Sequence, residues 1–421
     1  MSVPATATGV VEPAGAAPKR RLPRFWIVYA ILLAVLVLSI LEVVTGANDL
    51  ASSGAIKATL IGTMPIMLAG LGGLWSERAG IVNIGLEGML ILGTYGAGYF
   101  GYHHGPWAGV LGAILMGMLG GLIHAIATVV FGVDHIISGV AINIIALGAV
   151  QYLASITFSG LPGGGSTQSP KVGDVQTITI GPLSDFLFDV EKKDWFFVSE
   201  LAAIARSLCD ELSLLVLISL LLLVLTWWIL WRTAFGLRLR SCGEAPAAAE
   251  SLGVKVLRYK FAAVIVSGGL AGLGGGVLAL VAASNYRDGQ TGGRGYIGLA
   301  AMIFGNWRPG GLLAGSGLFG YTQTLSLRQG GESIHALLLA AAVLAVGAAL
   351  LQARRGNLPT AGIMGGLGVL LGVTYFLIDT VPSDFSSMTP YVITLLVLAF
   401  AAQRLRMPAA DGQIYRKGSA G

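Results

Sequence analysis

The feature that most constrains this chain is a series of long apolar stretches, which follow one another along most of its 421 residues. A helix needs about 20 apolar residues to cross the hydrocarbon core of a bilayer. Twelve stretches approach that length, at residues 25–45, 56–75, 84–101, 107–131, 136–158, 212–231, 260–283, 294–306, 309–328, 334–352, 361–379 and 389–405. The eighth is short and flanked by glycines. The sequence thus predicts an all-α polytopic membrane protein with about 12 spans, within a range of about 10 to 12.

Composition agrees with a chain that lies mostly in lipid. Only 11% of the residues are charged, against about 25% in a typical soluble protein. The 62 glycines indicate membrane helices whose backbones pack closely. The basic residues form no stripe with aromatics, so nucleic-acid binding is not supported. Cys209 and Cys242 are predicted to lie on opposite sides of the membrane, and no CxxC or His/Cys spacing indicates a metal or a cofactor.

The basic residues also predict the orientation, because Lys and Arg mark the cytoplasmic side of a membrane protein. When all twelve spans are counted, they fall on one side. They are Lys19, Arg20, Arg21 and Arg24 before the first span, Arg78 after the second, a group between Arg232 and Lys260 after the sixth, Arg354 and Arg355 after the tenth, and Arg404, Arg406, Arg416 and Lys417 after the last. We therefore predict two cytoplasmic termini, with a disordered basic tail at 1–24, a membrane domain at 25–406 and a second cytoplasmic tail at 407–421.

The longest segment without a predicted span, residues 159–211, then falls outside the membrane. Its first residues, from Ser159 to Gly165, have the composition of a loop. Residues 195–208 fit a short interfacial helix with Trp195 and the aromatics after it at headgroup level. They fit an ordered loop without a role equally well.

Two short patterns recur in the same order. Ala69–Gly73 and Ala271–Gly275 share the sequence AGLGG, and Ile84–Met89 is echoed by Ile297–Met302. On the predicted topology the two copies have opposite orientations. Inverted repeats with glycine-interrupted helices are typical of transporters and have the transport pathway between them. Chance recurrence of common residues is the other explanation, and it is weaker for an ordered pair than for either match alone.

The predicted cytoplasmic loop 232–259 contains a short helix signal. Pro246 suits a first helical turn, three alanines follow it, and Gly253 suits the position after the helix end. Glu244 and Glu250 are acidic within a basic surround. Such a two-turn helix is marginal by itself, so it reads either as a docking element held by a partner or as a solvated connector.

Four blocks of the sequence resemble a known family. Gly72–Met89 is similar to the signature stretch of permeases from bacterial ATP-binding-cassette importers, in the simple-sugar and nucleoside branch related to branched-chain amino acid and ribose permeases. Thr233–Glu244, Gly293–Gly305 and Pro390–Val397 agree and stand in the family's order. The resemblance covers about residues 56–330 and the last helix. The helix pair at 334–380 and the long exterior loop depart from the family's usual pattern, the former as an insertion.

The resemblance implies that the short helix couples the permease to a cytoplasmic ATPase subunit. The implied coupling residues are Gly243, Glu244, Pro246, Ala248, Ala249, Glu250 and Gly253. It further implies a second permease chain, identical or related, and an extracytoplasmic substrate-binding lipoprotein, all at a bacterial plasma membrane. ATP binding and hydrolysis on the partner would switch the pathway between outward- and inward-facing states. The chain itself has no GxxxxGK[ST] phosphate loop, so no ATPase activity, and no enzyme activity, is expected of it.

Five polar residues within the predicted spans are candidates for the translocation path. They are Asn83, Glu87, Asn143, Asn285 and Gln323. Amides suit a neutral, hydroxyl-rich nucleoside or sugar, although contacts between helices explain such residues as well. Glu87 lies about one turn into the third span, where a charge is costly and often functional. A structural role, by pairing with Arg78 or accepting hydrogen bonds at a glycine-rich break, fits it equally.

A second class of protein also fits inverted repeats. An ion-coupled secondary transporter of a small polar solute would need carboxylates deep in its spans, and Glu87 is the main candidate. A polytopic enzyme lacks support, because no nucleophile, base or metal ligands cluster in the sequence. Among importer substrates, only the family resemblance favours nucleosides over simple sugars.

Overall fold

A computed structural model describes residues 26–47, 50–328, 331–378 and 405–416, together with isolated positions between 381 and 392 and at 418. The predicted tail at 1–24, nearly all of the predicted span at 389–405 and the block Pro390–Val397 lie outside the described residues.

The described chain is mostly helical. In order the helices are α1 (Trp26–Thr45), α2 (Ser53–Arg78), α3 (Leu86–His104), α4 (Pro106–Ala125), α5 (His135–Phe158), α6 (Gly181–Glu191), α7 (Val198–Cys209), α8 (Leu214–Arg232), α9 (Ala234–Glu244), α10 (Pro246–Ser251), α11 (Val256–Val277), α12 (Arg294–Phe304), α13 (Pro309–Arg328), α14 (Gly331–Arg354) and α15 (Leu358–Leu377). Two π-helical segments, Ile126–Val130 and Leu278–Ala282, continue α4 and α11. Strands β1 (Thr177–Ile178) and β2 (Leu212–Ser213) form a two-residue antiparallel pair.

Seven helices of the described chain are long and apolar enough to cross a membrane. They are α2, α4 with its π segment, α5, α8, α11 with its π segment, α14 and α15. The eighth predicted span corresponds to α12, which has only 11 residues. The predicted all-α polytopic membrane fold is therefore confirmed at this level.

Helices α2 and α11 form the centre of the bundle. In the most apolar stretch of 18 residues, 72% of the residues are buried in α2 and 83% in α11 with its π segment, but only 11% in α15. Contact between so much apolar surface and water is unfavourable, so a helix that remains this exposed is suited to contact with lipid. The centre is thus packed as protein and the periphery is left for the bilayer.

Glycines allow the central helices to touch backbone to backbone. A Cβ atom at Gly72 of α2 would lie 2.5 Å from the carbonyl oxygen of Ser267 in α11, and one at Gly274 would lie 3.0 Å from that of Pro65. Since 72 is close to 267 and 65 to 274, the two helices run antiparallel. Both copies of AGLGG lie in this pair of helices, in agreement with the close packing that the glycine content predicts.

The segment 159–211 is a folded platform against α1 and α2. It contains α7, which agrees with the helix that is one of the two alternatives predicted for 195–208. It also contains α6, for which no helix is predicted above. The backbone N–H of Ser53, at the start of α2, donates to the Glu191 carboxylate at 3.1 Å, and the Arg206 guanidinium lies 3.0 Å from the same carboxylate. The platform therefore lies level with the beginning of α2.

Candidate functional site

The loop between α8 and α11 contains the short helix that the sequence predicts. The Thr233 hydroxyl accepts a hydrogen bond of 3.1 Å from the Gly236 N–H and so caps α9. Pro246 occupies the first turn of α10, and Gly253 follows the helix with a φ of +82°. A residue with a side chain is strained at that φ, so the helix ends here because glycine follows it.

One side of α10 faces the protein. Ala249 is buried with Cys242 and Val256, and the rings of Tyr259 and Tyr415 pack against them. Burial raises the pKa of the Cys242 thiol to about 11, so the thiol stays neutral and serves as a small apolar side chain. We call these three buried residues and the two tyrosines the α10 cluster.

The opposite side of α10 is open. Glu244, Ala248 and Gly253 are exposed, and Leu252 is 84% exposed. No other large apolar side chain of the described residues has so large an exposed fraction. Leu252 is not among the coupling residues predicted above, because it stands in the sequence as a single leucine between the small residues Ser251 and Gly253.

Gly243, at the end of α9, touches the turn that follows α2. A Cβ atom at Gly243 would overlap the carbonyl oxygen of Arg78 and would lie 3.0 Å from the nitrogen of Gly80. The Lys260 ammonium of α11 donates to the carbonyl oxygen of Gly80 at 3.2 Å. The loop with α9 and α10 therefore rests directly on the connection between α2 and α3.

Arg78 ties this connection to the turn between α12 and α13. Its guanidinium donates two hydrogen bonds, of 3.2 and 2.7 Å, to the carbonyl oxygen of Trp307. A third nitrogen lies 3.8 Å from the Glu244 carboxylate. The indole N–H of Trp307 in turn donates to the carboxylate of Glu77. Arg78 thus bonds at this end of the bundle and does not pair with Glu87.

Glu87 joins the beginnings of α3 and α12. Its two carboxylate oxygens accept hydrogen bonds from the backbone N–H groups of Gly293, at 3.0 Å, and Gly295, at 2.6 Å. These N–H groups open α12 and have no partner within that helix, and the positive end of the helix dipole favours a carboxylate there. Of the predicted structural roles, the hydrogen bonds at a glycine-rich break are present.

Asn83 and Asn143 hold the backbone beside Glu87. The Asn143 side chain accepts from the Gly88 N–H at 2.7 Å and donates to the Tyr296 hydroxyl at 2.9 Å. Asn83 precedes α3, and its side chain donates to the Ser267 hydroxyl at 2.8 Å. The structure therefore brings three of the five predicted path residues together at one break in the bundle.

Asn285 and Gln323 lie apart from that group. Asn285, in the segment between α11 and α12, accepts a hydrogen bond of 3.2 Å from the Arg287 guanidinium. Gln323 lies half-buried on α13, which packs against α2. Gln290, three residues before Gly293, is not among the predicted path residues. The nitrogen and the oxygen of its side-chain amide are buried and have no hydrogen-bond partner. Among the residues that the structure describes, no group of three His, Cys, Asp or Glu could hold a metal ion.

A multi-span helical bundle with a break near its centre, and with a short helix on one loop, is the architecture of a polytopic membrane protein. The family model described as branched-chain amino acid transport system permease component matches residues 55–351. The chain therefore belongs to this family of transporter permeases. It is an integral membrane protein, and the permease subunits of ABC transporters are not themselves enzymes.

Several curated proteins are similar over nearly their whole length. The guanosine ABC transporter permease protein NupQ of Bacillus subtilis is 31% identical over 86% of this chain and 96% of its own. The nucleoside ABC transporter permease protein NupC of Lactococcus lactis is 32% identical over 85% and 95%. The putative glucose ABC transporter permease protein TsgC13 of Haloferax volcanii is 30% identical over 87% and 98%. No solved structure matches the chain.

Proposed function

We propose that this chain is a permease subunit of an ATP-binding-cassette importer and moves a nucleoside inward by alternating access, driven by a separate ATPase. The observation that carries this proposal is the near full-length similarity to a guanosine and a nucleoside permease. Simple sugars are the second candidate, because the glucose permease relative is almost equally similar. A second permease chain and a substrate-binding lipoprotein complete the proposed importer.

The proposed coupling element is α10. Its open side, with Ala248, Leu252 and Gly253, is free to enter a groove of an ATPase subunit. Its protein side is linked through Gly243 to the connection between α2 and α3. A movement of α10 would therefore reach the start of α3 without a long chain of intermediates, and the predicted coupling residues divide into these two sides.

The proposed path runs past the break at Glu87. Asn83, Glu87 and Asn143 hold the break in place, and the unpartnered amide of Gln290 offers both a donor and an acceptor to a hydroxyl-rich solute. Asn285 and Gln323 remain proposed path residues on the evidence of the sequence alone. A neutral nucleoside needs hydrogen bonds of this kind and no counter-charge.

The inverted repeat and the count of about 12 spans belong to the same proposal. In support, α2 and α11 run antiparallel, and each is followed by a non-helical segment and then a further helix, α3 or α12. With α12 counted as a short eighth span, both termini and α10 are on the cytoplasmic side of a bacterial plasma membrane. The proposed membrane domain is then 25–406, with the platform 159–211 outside. Helices α14 and α15 correspond to the inserted pair predicted at 334–380.

The ion-coupled alternative is disfavoured by the surroundings of Glu87. Both oxygens of its carboxylate accept backbone hydrogen bonds, which build the junction of α3 and α12. These contacts favour a structural role for Glu87 over a role in ion coupling.

Uptake of labelled guanosine by proteoliposomes tests the proposed substrate class. The vesicles contain this chain, its companion permease, the ATPase and the lipoprotein, and excess unlabelled adenosine or glucose competes with the label. We expect adenosine to reduce guanosine uptake and glucose to leave it unchanged. Strong competition by glucose, with none by adenosine, would move the proposal to the sugar class.

A further inference from the structure

The C-terminal segment 405–416 lies across the end of the bundle where α2, α9, α10 and the turn after α12 meet. It contains no helix of its own, and its contacts are made by backbone groups and a few side chains. We call this segment the strap. None of the functional roles assigned above uses it.

The strap is attached to both α9 and α10. The N–H of Ala410 donates to the carbonyl oxygen of Gly243 at 2.8 Å, and the N–H of Ala409 donates to the Glu244 carboxylate at 3.2 Å. Further on, the Tyr415 hydroxyl donates to the carboxylate of Glu250 on α10. The Tyr415 ring completes the α10 cluster, so this residue holds α10 by packing and by a hydrogen bond to a charged group.

The strap is also attached to the membrane helices. The N–H of Arg406 donates to the Asn306 side chain, in the turn between α12 and α13, at 2.7 Å. The carboxyl group of Asp411 is buried, and it interacts with the carboxyl group of Glu77 at the end of α2. Arg406 and Asp411 thus contact different parts of the bundle, and Ala410, which bonds Gly243, lies between them.

Helix α10 needs such attachments. It has six residues, and Ala249 is the one that it buries. A helix of fewer than about 12 residues is marginal in water because its nucleus is costly to form. A two-turn helix that is to transmit a push must keep its position relative to the helices that it moves. The Glu250–Tyr415 contact supplies that constraint from outside α10.

We propose that the strap fixes α10 to the ends of α2 and α12, so that the three move as one unit, and that Tyr415 is the positioning residue for this transmission. The inference rests on the proposed function, in which an ATPase moves α10. With the strap attached, a displacement of α10 also displaces Gly243, Glu77 and Asn306. With Tyr415 detached, α10 moves relative to the ends of α2 and α12, and less of its displacement reaches them.

The test compares Tyr415→Phe with Tyr259→Phe in the reconstituted importer. Both tyrosine rings pack in the α10 cluster, but only the Tyr415 hydroxyl bonds Glu250. We expect Tyr415→Phe to lower the amount of nucleoside transported per ATP hydrolysed by about tenfold. The loss of a hydrogen bond to a charged group changes an equilibrium constant by at least about that factor. Membrane abundance and ATPase co-purification stay unchanged, and Tyr259→Phe behaves as wild type. Equal transport per ATP in both variants would overturn the proposal.

Two further measurements keep the outcome decisive. Glu250→Ala with Tyr415→Phe should be no worse than the more impaired of the two single variants, because each removes the same contact; additive losses would contradict the strap. Hydrogen exchange at the amides of α10 should speed up in Tyr415→Phe and not in Tyr259→Phe, and this readout needs no transport. Absence of ATP-driven uptake in wild type would defeat the proposed function, whereas unchanged exchange in Tyr415→Phe would defeat the strap.

Discussion

The carboxylate of Glu87, in the first turn of α3, accepts a hydrogen bond of 2.6 Å from the backbone N–H of Gly295, in the first turn of α12. The two residues are far apart in the sequence: Glu87 lies within Ile84–Met89, and Gly295 lies two residues before Ile297–Met302. Their contact joins α3 to α12 at the break in the bundle. A Cβ atom at Gly295 would lie 2.6 Å from the Glu87 Cα, so the glycine is what allows the approach.

Glu87→Ala should destabilise this junction. Two N–H groups of α12 would lose a charged acceptor in a buried place, at a cost of about 1.5–3 kcal/mol for each bond. Thermal unfolding in detergent should therefore occur at lower temperature, and Glu87→Gln should fall between the variant and wild type. Glu332→Gln, an acid in the first turn of α14, is the matched control and should unfold like wild type. A stable Glu87→Ala protein that lost only pH-dependent transport would instead indicate proton coupling.

Leu252→Asp should detach the ATPase. Burial of a leucine side chain contributes about 2 kcal/mol, so its loss weakens an interface by at least about tenfold, and the added charge opposes burial further. The measurement is the amount of ATPase that co-purifies with the permease at equal membrane abundance. Leu358→Asp, on another exposed leucine at the start of α15, serves as control. Equal loss in both variants, or in neither, would count against α10 as the docking element.

Gly243→Ala should disturb the contact between α9 and the turn after α2. The new methyl group would overlap the Arg78 carbonyl oxygen, which is backbone and cannot swing away. Such overpacking costs about 1–3 kcal/mol. We expect reduced transport per ATP together with a lower unfolding temperature. Gly148→Ala on α5, where a Cβ atom meets nothing within 4 Å, should change neither.

Attachment of the strap should weaken as pH rises. Burial raises the pKa of Asp411 from 3.8 to about 7 in the attached strap, against the opposing effects of the hydrogen bond with Glu77 and of the Lys260 and Arg78 cations. In the released strap the pKa returns to its ordinary value. The attached state therefore holds the extra proton, and its advantage is complete below about pH 4 and is lost as pH rises through about 7.

Limited proteolysis of the strap at pH 5.5 and pH 8 measures this dependence. Cleavage between 405 and 416 should be faster at pH 8, after correction for the protease's own pH profile on a peptide of the same sequence. Asp411→Asn, which cannot titrate, should cleave at the same corrected rate at both values. A pH effect that persists in Asp411→Asn would assign it to another group.

Gln290→Ala should raise the KM for the nucleoside. The side-chain amide is buried without a hydrogen-bond partner, and a bound hydroxyl would supply one. We expect a rise of about tenfold with little change in the maximal rate. Asn285→Ala, at the other proposed path residue of this segment, should raise the KM less, because its side chain is already bonded to Arg287. An unchanged KM in Gln290→Ala would remove this residue from the path.

The membrane helices follow from apolar length, because a bilayer accepts few other backbone arrangements. Helix α10 follows from Pro246, three alanines and Gly253, which act locally. Helix α6 is not predicted above, although Leu183, Phe186, Leu187 and Val190 stand at helical spacing. Its position depends on contacts of Glu191 with α2, which no local pattern shows.

The partners of Glu87 and of Gly243 could not be read from the sequence. Glu87 bonds backbone N–H groups more than 200 positions away, and a main-chain donor leaves no sign of its partner in the sequence. The strap is held at Ala409 and Ala410 by main-chain donors, and alanine carries no sign of such a role. Tyr415 belongs to no periodic pattern that would predict its contact with α10. These contacts exist only once the helices are assembled.

The energy source of uptake tests the central claim most directly. Proteoliposomes with the complete importer are loaded either with ATP or with a non-hydrolysable analogue, and a second set holds this permease alone under a proton or sodium gradient. We predict guanosine accumulation only with the complete importer and ATP, and none in the second set. Accumulation by the permease alone, driven by the gradient and abolished by an ionophore, would contradict the account.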